Sequence, residues 1–125
     1  MAAERKRRLT PLQLARVLRS AATEKKAWDP VILDVREETS VADYFVITEG
    51  ETDRQVRAIA DGMVEAARDK DRKPLAVDGY EDAGWILLDF DSVLAHVFLP
   101  GERSYYDLES LWAPAAKRRR RAASA

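Results

Sequence analysis

Asp89-Phe90-Asp91 is the pattern in this chain with the clearest chemical potential. Two aspartates at i and i+2, at the end of an apolar run that reads as a strand, can hold Mg²⁺ against a triphosphate, because hard cations take oxygen ligands. That chemistry also needs a glycine- and hydroxyl-bearing turn at a helix start to hold the phosphates. The corresponding place reads Gly50-Glu51-Thr52-Asp53, where two acids would repel a triphosphate. Asp91 also has the composition of a simple turn residue. No phosphate-binding glycine loop and no nucleophile-elbow serine is present. His96 is the sole histidine and there is no cysteine, so imidazole–thiolate metal sites and cysteine nucleophiles are excluded. A lone strand histidine fits a hydrogen-bonded structural role or a contact role. Asp78, Glu81 and Asp82 beside Gly79 and Tyr80 read as a solvated loop or as acidic contacts to a basic partner. With so little nucleophile or metal chemistry, a binding protein without cofactor is the better-supported class, and nucleotidyl transfer through Asp89 and Asp91 is the alternative.

The elements that must position these residues follow from periodicity. Thr10-Pro11 is a helix start, hydroxyl cap then proline at the first helical position, and apolar residues recur at helical spacing as far as the break expected from Asp29-Pro30, near Trp28. Residues 31–35 and 44–48 read as strands close enough in sequence to pair as a hairpin. Thr52 followed by Gln55 matches a capping box, and Val56, Ile59, Ala60, Met63, Val64 and Ala67 form one stripe of period 3.6. Gly62 within that helix is a site for close packing. Short strands follow at 75–77, 85–90 and 93–99, then a short helix to about residue 111 and a disordered tail from 113. The expected fold is α/β, a mixed sheet of about five strands flanked by helices. The domain plan is a basic extension over 1–9, one domain over 10–112 and a basic tail over 113–125.

The last hairpin separates into two faces. With Asp91 and Ser92 at the turn, Phe90 opposes Val93, Leu88 opposes Ala95 and Ile86 opposes Val97, all apolar and therefore core. On the other face Asp89 opposes Leu94, Leu87 opposes His96 and Trp85 opposes Phe98. Large apolar groups with an acid and an imidazole have the makeup of an interface centre. Periodicity leaves two readings of this face: an exposed docking surface anchored by Trp85, or core beneath a helix.

Charge constrains the partner. The 125 residues carry a net −1, but the first eight carry +3 and residues 117–121 carry +5, leaving −9 on the body. An acidic body suits a basic protein partner better than nucleic acid, with the basic ends left as disordered arms that could touch phosphate. No apolar run approaches the ~20 residues of a membrane span, and no secretory leader is recognisable, so a cytoplasmic location is expected.

Several short runs together carry a family resemblance. They are Asp43-Tyr44-Phe45-Val46-Ile47 leading into Gly50, Asp53-Arg54-Gln55-Val56, Gly79, Trp85-Ile86-Leu87-Leu88-Asp89, His96-Val97-Phe98-Leu99-Pro100, Arg103-Ser104-Tyr105-Tyr106-Asp107-Leu108-Glu109 and Leu111-Trp112. In that order and spacing the chain, from about Leu12 to Trp112, resembles the ribosomal silencing factors (RsfS, or Iojap). The resemblance implies a nucleotidyltransferase-like fold without the catalytic motifs, and no enzymatic activity. It also implies a homodimeric translational repressor that binds the large ribosomal subunit through ribosomal protein number fourteen and blocks joining of the small subunit. Trp85, Leu87, Asp89, His96 and Phe98 are the residues expected to meet that protein. Tyr105, Tyr106, Leu108 and Trp112 are expected to dock the last helix on the sheet. The chain departs from the family pattern at Thr52, where a serine is usual and a hydroxyl cap is retained. It departs also at Asp91, where glycine is frequent, and at Asp78, where a glutamate often stands nearby.

Overall fold

A computed structural model describes residues 9–103 and 107. Helix α1 (Pro11–Glu24) and strands β1 (Trp28–Asp34) and β2 (Tyr44–Glu49) are followed by α2 (Asp53–Arg68), β3 (Ala76–Asp78), β4 (Trp85–Asp89) and β5 (Val93–Phe98). The strands form one mixed sheet in the order β1-β2-β5-β4-β3. β1 and β2 pair antiparallel, as the expected hairpin, and β2 runs parallel to β5. A parallel neighbour needs a long connection; here α2, β3 and β4 supply it. β4 pairs antiparallel with both β5 and β3.

Both helices begin on a threonine cap. Thr10 Oγ1 accepts from Gln13 N at 3.1 Å and Gln13 Oε1 accepts from Thr10 N at 2.9 Å, a complete capping box. Thr52 Oγ1 likewise accepts from Gln55 N at 3.1 Å. The reciprocal half expected there is different. Gln55 Oε1 accepts from Glu51 N at 2.7 Å, and its Nε2 donates to the carbonyls of Lys25 and Lys26 at 3.3 and 3.1 Å. Gln55 thus closes the C-terminal end of α1 rather than its own box.

That contact bears on a second difference. α1 ends at Glu24, not near Trp28. Lys26 turns the chain at φ 62°, and Asp29-Pro30 lies inside β1 instead of terminating a helix. Asp29 has φ 43° and the β1–β2 register shifts between Trp28 and Val31. Proline lacks the N–H a central strand needs, and an edge strand with a bulge accommodates it.

One face of the sheet packs against both helices. Leu14, Leu18, Val56, Ile59 and Met63 from the helices meet Val46, Ile86, Leu88, Val93 and Val97 from the strands and Phe90 from the β4–β5 turn in one buried cluster, with Leu9 packed at its edge. Each such side chain contributes about 1.5–3 kcal/mol of transfer free energy. Gly62 faces the stem of Lys25, whose Cε would lie 3.0 Å from an added Cβ. The opposite face carries a second cluster: Val31, Leu33, Val35, Ala42, Phe45, Ile47, Leu94 and Phe98, with Trp85 and Leu87 packed against it. No residue of α1 or α2 belongs to it. Among the described residues no helix is long and apolar enough to cross a membrane. The expected helix over 104–111 and the disordered tail lie outside the described residues, apart from Asp107, as do Tyr105, Tyr106, Leu108 and Trp112.

Candidate functional site

The register of β4 on β5 pairs Trp85 with Phe98, Leu87 with His96 and Asp89 with Leu94. The alternation read from the sequence is therefore the alternation of the folded hairpin, and all five candidate residues share the second face. Of the two readings of that face, the helices α1 and α2 do not supply the cover; they occupy the other side. Trp85, Leu87 and Asp89 are half-buried. His96 and Phe98 are buried, at 4% and 1% exposure, which places them beneath the outward groups rather than among them.

The rings form one cluster. The Trp85 and Phe98 centroids are 5.1 Å apart, Phe45 and His96 4.9 Å, and His96 stacks on Phe98 at 6.2 Å with 7° between planes. Trp85 Nε1 donates to His96 Nδ1 at 3.1 Å. His96 Nε2 is buried with no hydrogen-bond partner. Burial away from water pushes the imidazole pKa down to about 3, because the charged form loses its hydration.

The two aspartates serve the turn. Asp89 Oδ1 accepts from Asp91 N at 2.8 Å, and Asp91 adopts φ 73°. That left-handed conformation favours glycine and is tolerated by aspartate, which accounts for an aspartate standing where the resembled family often has glycine. Among the described residues no group of three or more histidine or acidic side chains has the arrangement to hold a metal ion.

The acidic loop after β3 is fastened to α2. Arg57 donates from Nε to the Tyr80 carbonyl at 3.0 Å and from Nη2 to the Glu81 carbonyl, and Tyr80 Oη donates to Asp61 Oδ2 at 3.0 Å. The Asp61 hydrogen bond raises the Tyr80 pKa. Arg57 was not singled out by sequence, since nothing local links position 57 to positions 80 and 81. Arg103 is the other unforeseen residue. It is 7% exposed and reaches Glu49 at 3.3 Å and Asp29 at 3.6 Å, tying the segment after β5 to β1 and β2.

The arrangement offers a surface with an apolar centre at Trp85 and Leu87 and Asp89 at its margin. A model of the family described as "Ribosomal silencing factor during starvation" matches residues 8–124. The chain belongs to this family. It is 38% identical over 102 residues, 82% of this chain and 86% of the relative, to Ribosomal silencing factor RsfS of Bacillus subtilis. It is 29% identical over 99 residues, 77% of this chain and 43% of the relative, to mouse Mitochondrial assembly of ribosomal large subunit protein 1. A crystal structure of a Chromobacterium violaceum protein, 29% identical, superposes with a TM-score of 0.81 over 83% of this chain and 87% of its own. The five-stranded mixed sheet with its two helices is therefore an α/β fold shared with a solved relative, as the resemblance implied. The match to the silencing-factor family runs through the arginine-rich tail.

Proposed function

We propose that this silencing factor represses translation by steric occlusion: it docks on the large ribosomal subunit through ribosomal protein number fourteen and blocks joining of the small subunit. The observation that carries the reading is the second sheet face, where Trp85 and Leu87 form an apolar centre with Asp89 at the margin, on an acidic body. A basic ribosomal protein complements that surface in charge, and tryptophan is the residue most enriched at binding hot spots. The names of the Bacillus and mouse relatives support a ribosomal target, the mouse name a large-subunit one. On this reading Trp85, Leu87 and Asp89 meet the partner, and His96 and Phe98 support them from below. The protein turns over no substrate, acts in the cytoplasm as a homodimer, and its tail adds at most a weak contact to ribosomal RNA.

The test is direct. The purified protein is mixed with large subunits, small subunits are added, and joining is followed by sedimentation. Co-migration with large subunits and loss of the joined particle are expected. Normal joining in the presence of excess protein rejects occlusion. Truncating an anchor typically costs ~2 kcal/mol or more, so Trp85→Ala is expected to bind large subunits about thirtyfold more weakly. A folded Trp85→Ala protein with unchanged affinity would remove this face from the contact.

A further inference from the structure

We propose that His96 is a positioning residue for Trp85: it turns the indole N–H into the sheet, so that a protein partner meets the hydrocarbon of the ring and not its hydrogen-bond donor. This rests on the docking face described above, and it names what the partner must present there.

Tryptophan has a single polar group, and that group can only donate. In this fold the donor points to His96 Nδ1 at 3.1 Å. The two residues are diagonal neighbours across β4 and β5, since Trp85 opposes Phe98 and His96 opposes Leu87. Diagonal pairs are within reach of aromatic side chains. The acceptor is held still. His96 lies between Ile47 of β2 and Leu87 of β4, with Phe45 4.9 Å away and Phe98 stacked at 6.2 Å.

The second ring nitrogen shows a cost that the imidazole carries in this fold. Because Nδ1 accepts, the neutral ring carries its proton on Nε2. That nitrogen is buried and has no partner. A buried unpaired donor is unfavourable, and an apolar residue of similar volume would avoid it. The histidine therefore carries a penalty at Nε2, while the side-chain hydrogen bond it makes among the described residues fixes the orientation of Trp85. The exposed part of the indole is then carbon and π surface. It fits an aliphatic side chain, or the stem of a lysine or arginine whose head reaches towards Asp89, and it does not fit an isolated acceptor.

Three variants of the full chain test this. His96→Leu removes the acceptor at similar volume. His96→Asn places an amide oxygen near the Nδ1 position and restores it. Trp85→Ala tests the docking face itself. The readouts are the ¹H–¹⁵N indole resonance of Trp85, with its protection from solvent exchange, and affinity for large ribosomal subunits by sedimentation. In His96→Leu the Trp85 N–H should lose protection and affinity should fall about tenfold, the size of one lost hydrogen bond. In His96→Asn the resonance should stay protected and affinity should remain within about threefold of the parent. A protected indole and parental affinity in His96→Leu overturn the proposal, as does an Asn variant that behaves like the Leu variant. Should His96→Leu not fold, the Asn variant decides by the same two readouts. If Trp85→Ala binds as the parent does, the docking reading fails, and the indole resonance of the His96 variants still judges the positioning.

Discussion

His96 couples the stability of this fold to pH. In the unfolded chain its imidazole takes a proton near the ordinary value of 6.5, while in the fold burial holds it neutral down to about 3. Between those values the unfolded state binds more protons, so stability falls as pH falls. The slope from this one group approaches ~1.4 kcal/mol per pH unit in the middle of the window. Urea unfolding at pH 7, 6 and 5 should show a steeper loss for the parent than for His96→Asn. Parallel curves would mean that the imidazole is hydrated in the fold. The neighbouring pair Asp89 and Asp91 shows how a residue's type is read one way by pattern and another by geometry. As a sequence pattern it has the form of a metal-binding acid pair. In the fold Asp89 Oδ1 is engaged by the Asp91 N–H and Asp91 turns the chain at positive φ.

At the scale of elements, the two loops flanking β4 and β5 set the docking face. Gly79 ends β3 at φ 78°, and a Cβ there would sit 2.1 Å from the Trp85 carbonyl oxygen. Gly79→Ala must either displace the loop or strain it. A loss of about 3 kcal/mol in unfolding free energy is expected, together with a shifted Trp85 amide resonance, because the obstructed atom belongs to that residue. An unshifted resonance and unchanged stability would show that the loop yields freely. On the other side Arg103 is buried between Glu49, whose side chain is 18% exposed, and Asp29, at 70%. Removing it strands a mostly buried Glu49 carboxylate, so Arg103→Ala should cost about 3 kcal/mol. Arg103→Ala combined with Glu49→Gln should recover part of that loss in a thermal melt; no recovery would assign the cost to other contacts of Arg103. Helix starts and the apolar stripe of α2 were legible, because capping and the 3.6-residue period act within one turn or two. The end of α1 was not. It depends on Gln55 reaching the carbonyls of Lys25 and Lys26 from 30 and 29 residues away.

Across the whole molecule the charge is segregated: an acidic body between a basic start and a basic end. On the occlusion reading the body supplies specificity and the tail only nonspecific attraction. Deleting residues 117–125 should therefore weaken binding to large subunits a few-fold at low salt and flatten its salt dependence, while binding to isolated ribosomal protein fourteen stays unchanged. Loss of the latter would transfer recognition to the tail. The segregation also explains why composition narrowed the partner to something basic without naming it: long-range attraction depends on summed charge and little on fold.

The sequence by itself determined what local rules govern. The hydroxyl caps, the apolar stripe of α2 and the two faces of the last hairpin follow from periods of 3.6 and 2, which hold whatever lies across the sheet. The order of short runs from Asp43 to Trp112 also sufficed for the family. Tertiary structure alone decided which face the helices took and that β2 would lie parallel to β5. It also decided that the Trp85 N–H would be spent on His96, and that Arg103 would reach Asp29 and Glu49 across 74 and 54 residues. Those outcomes are set by volume, burial and hydrogen-bond partners brought together through space, and no period along the chain encodes them.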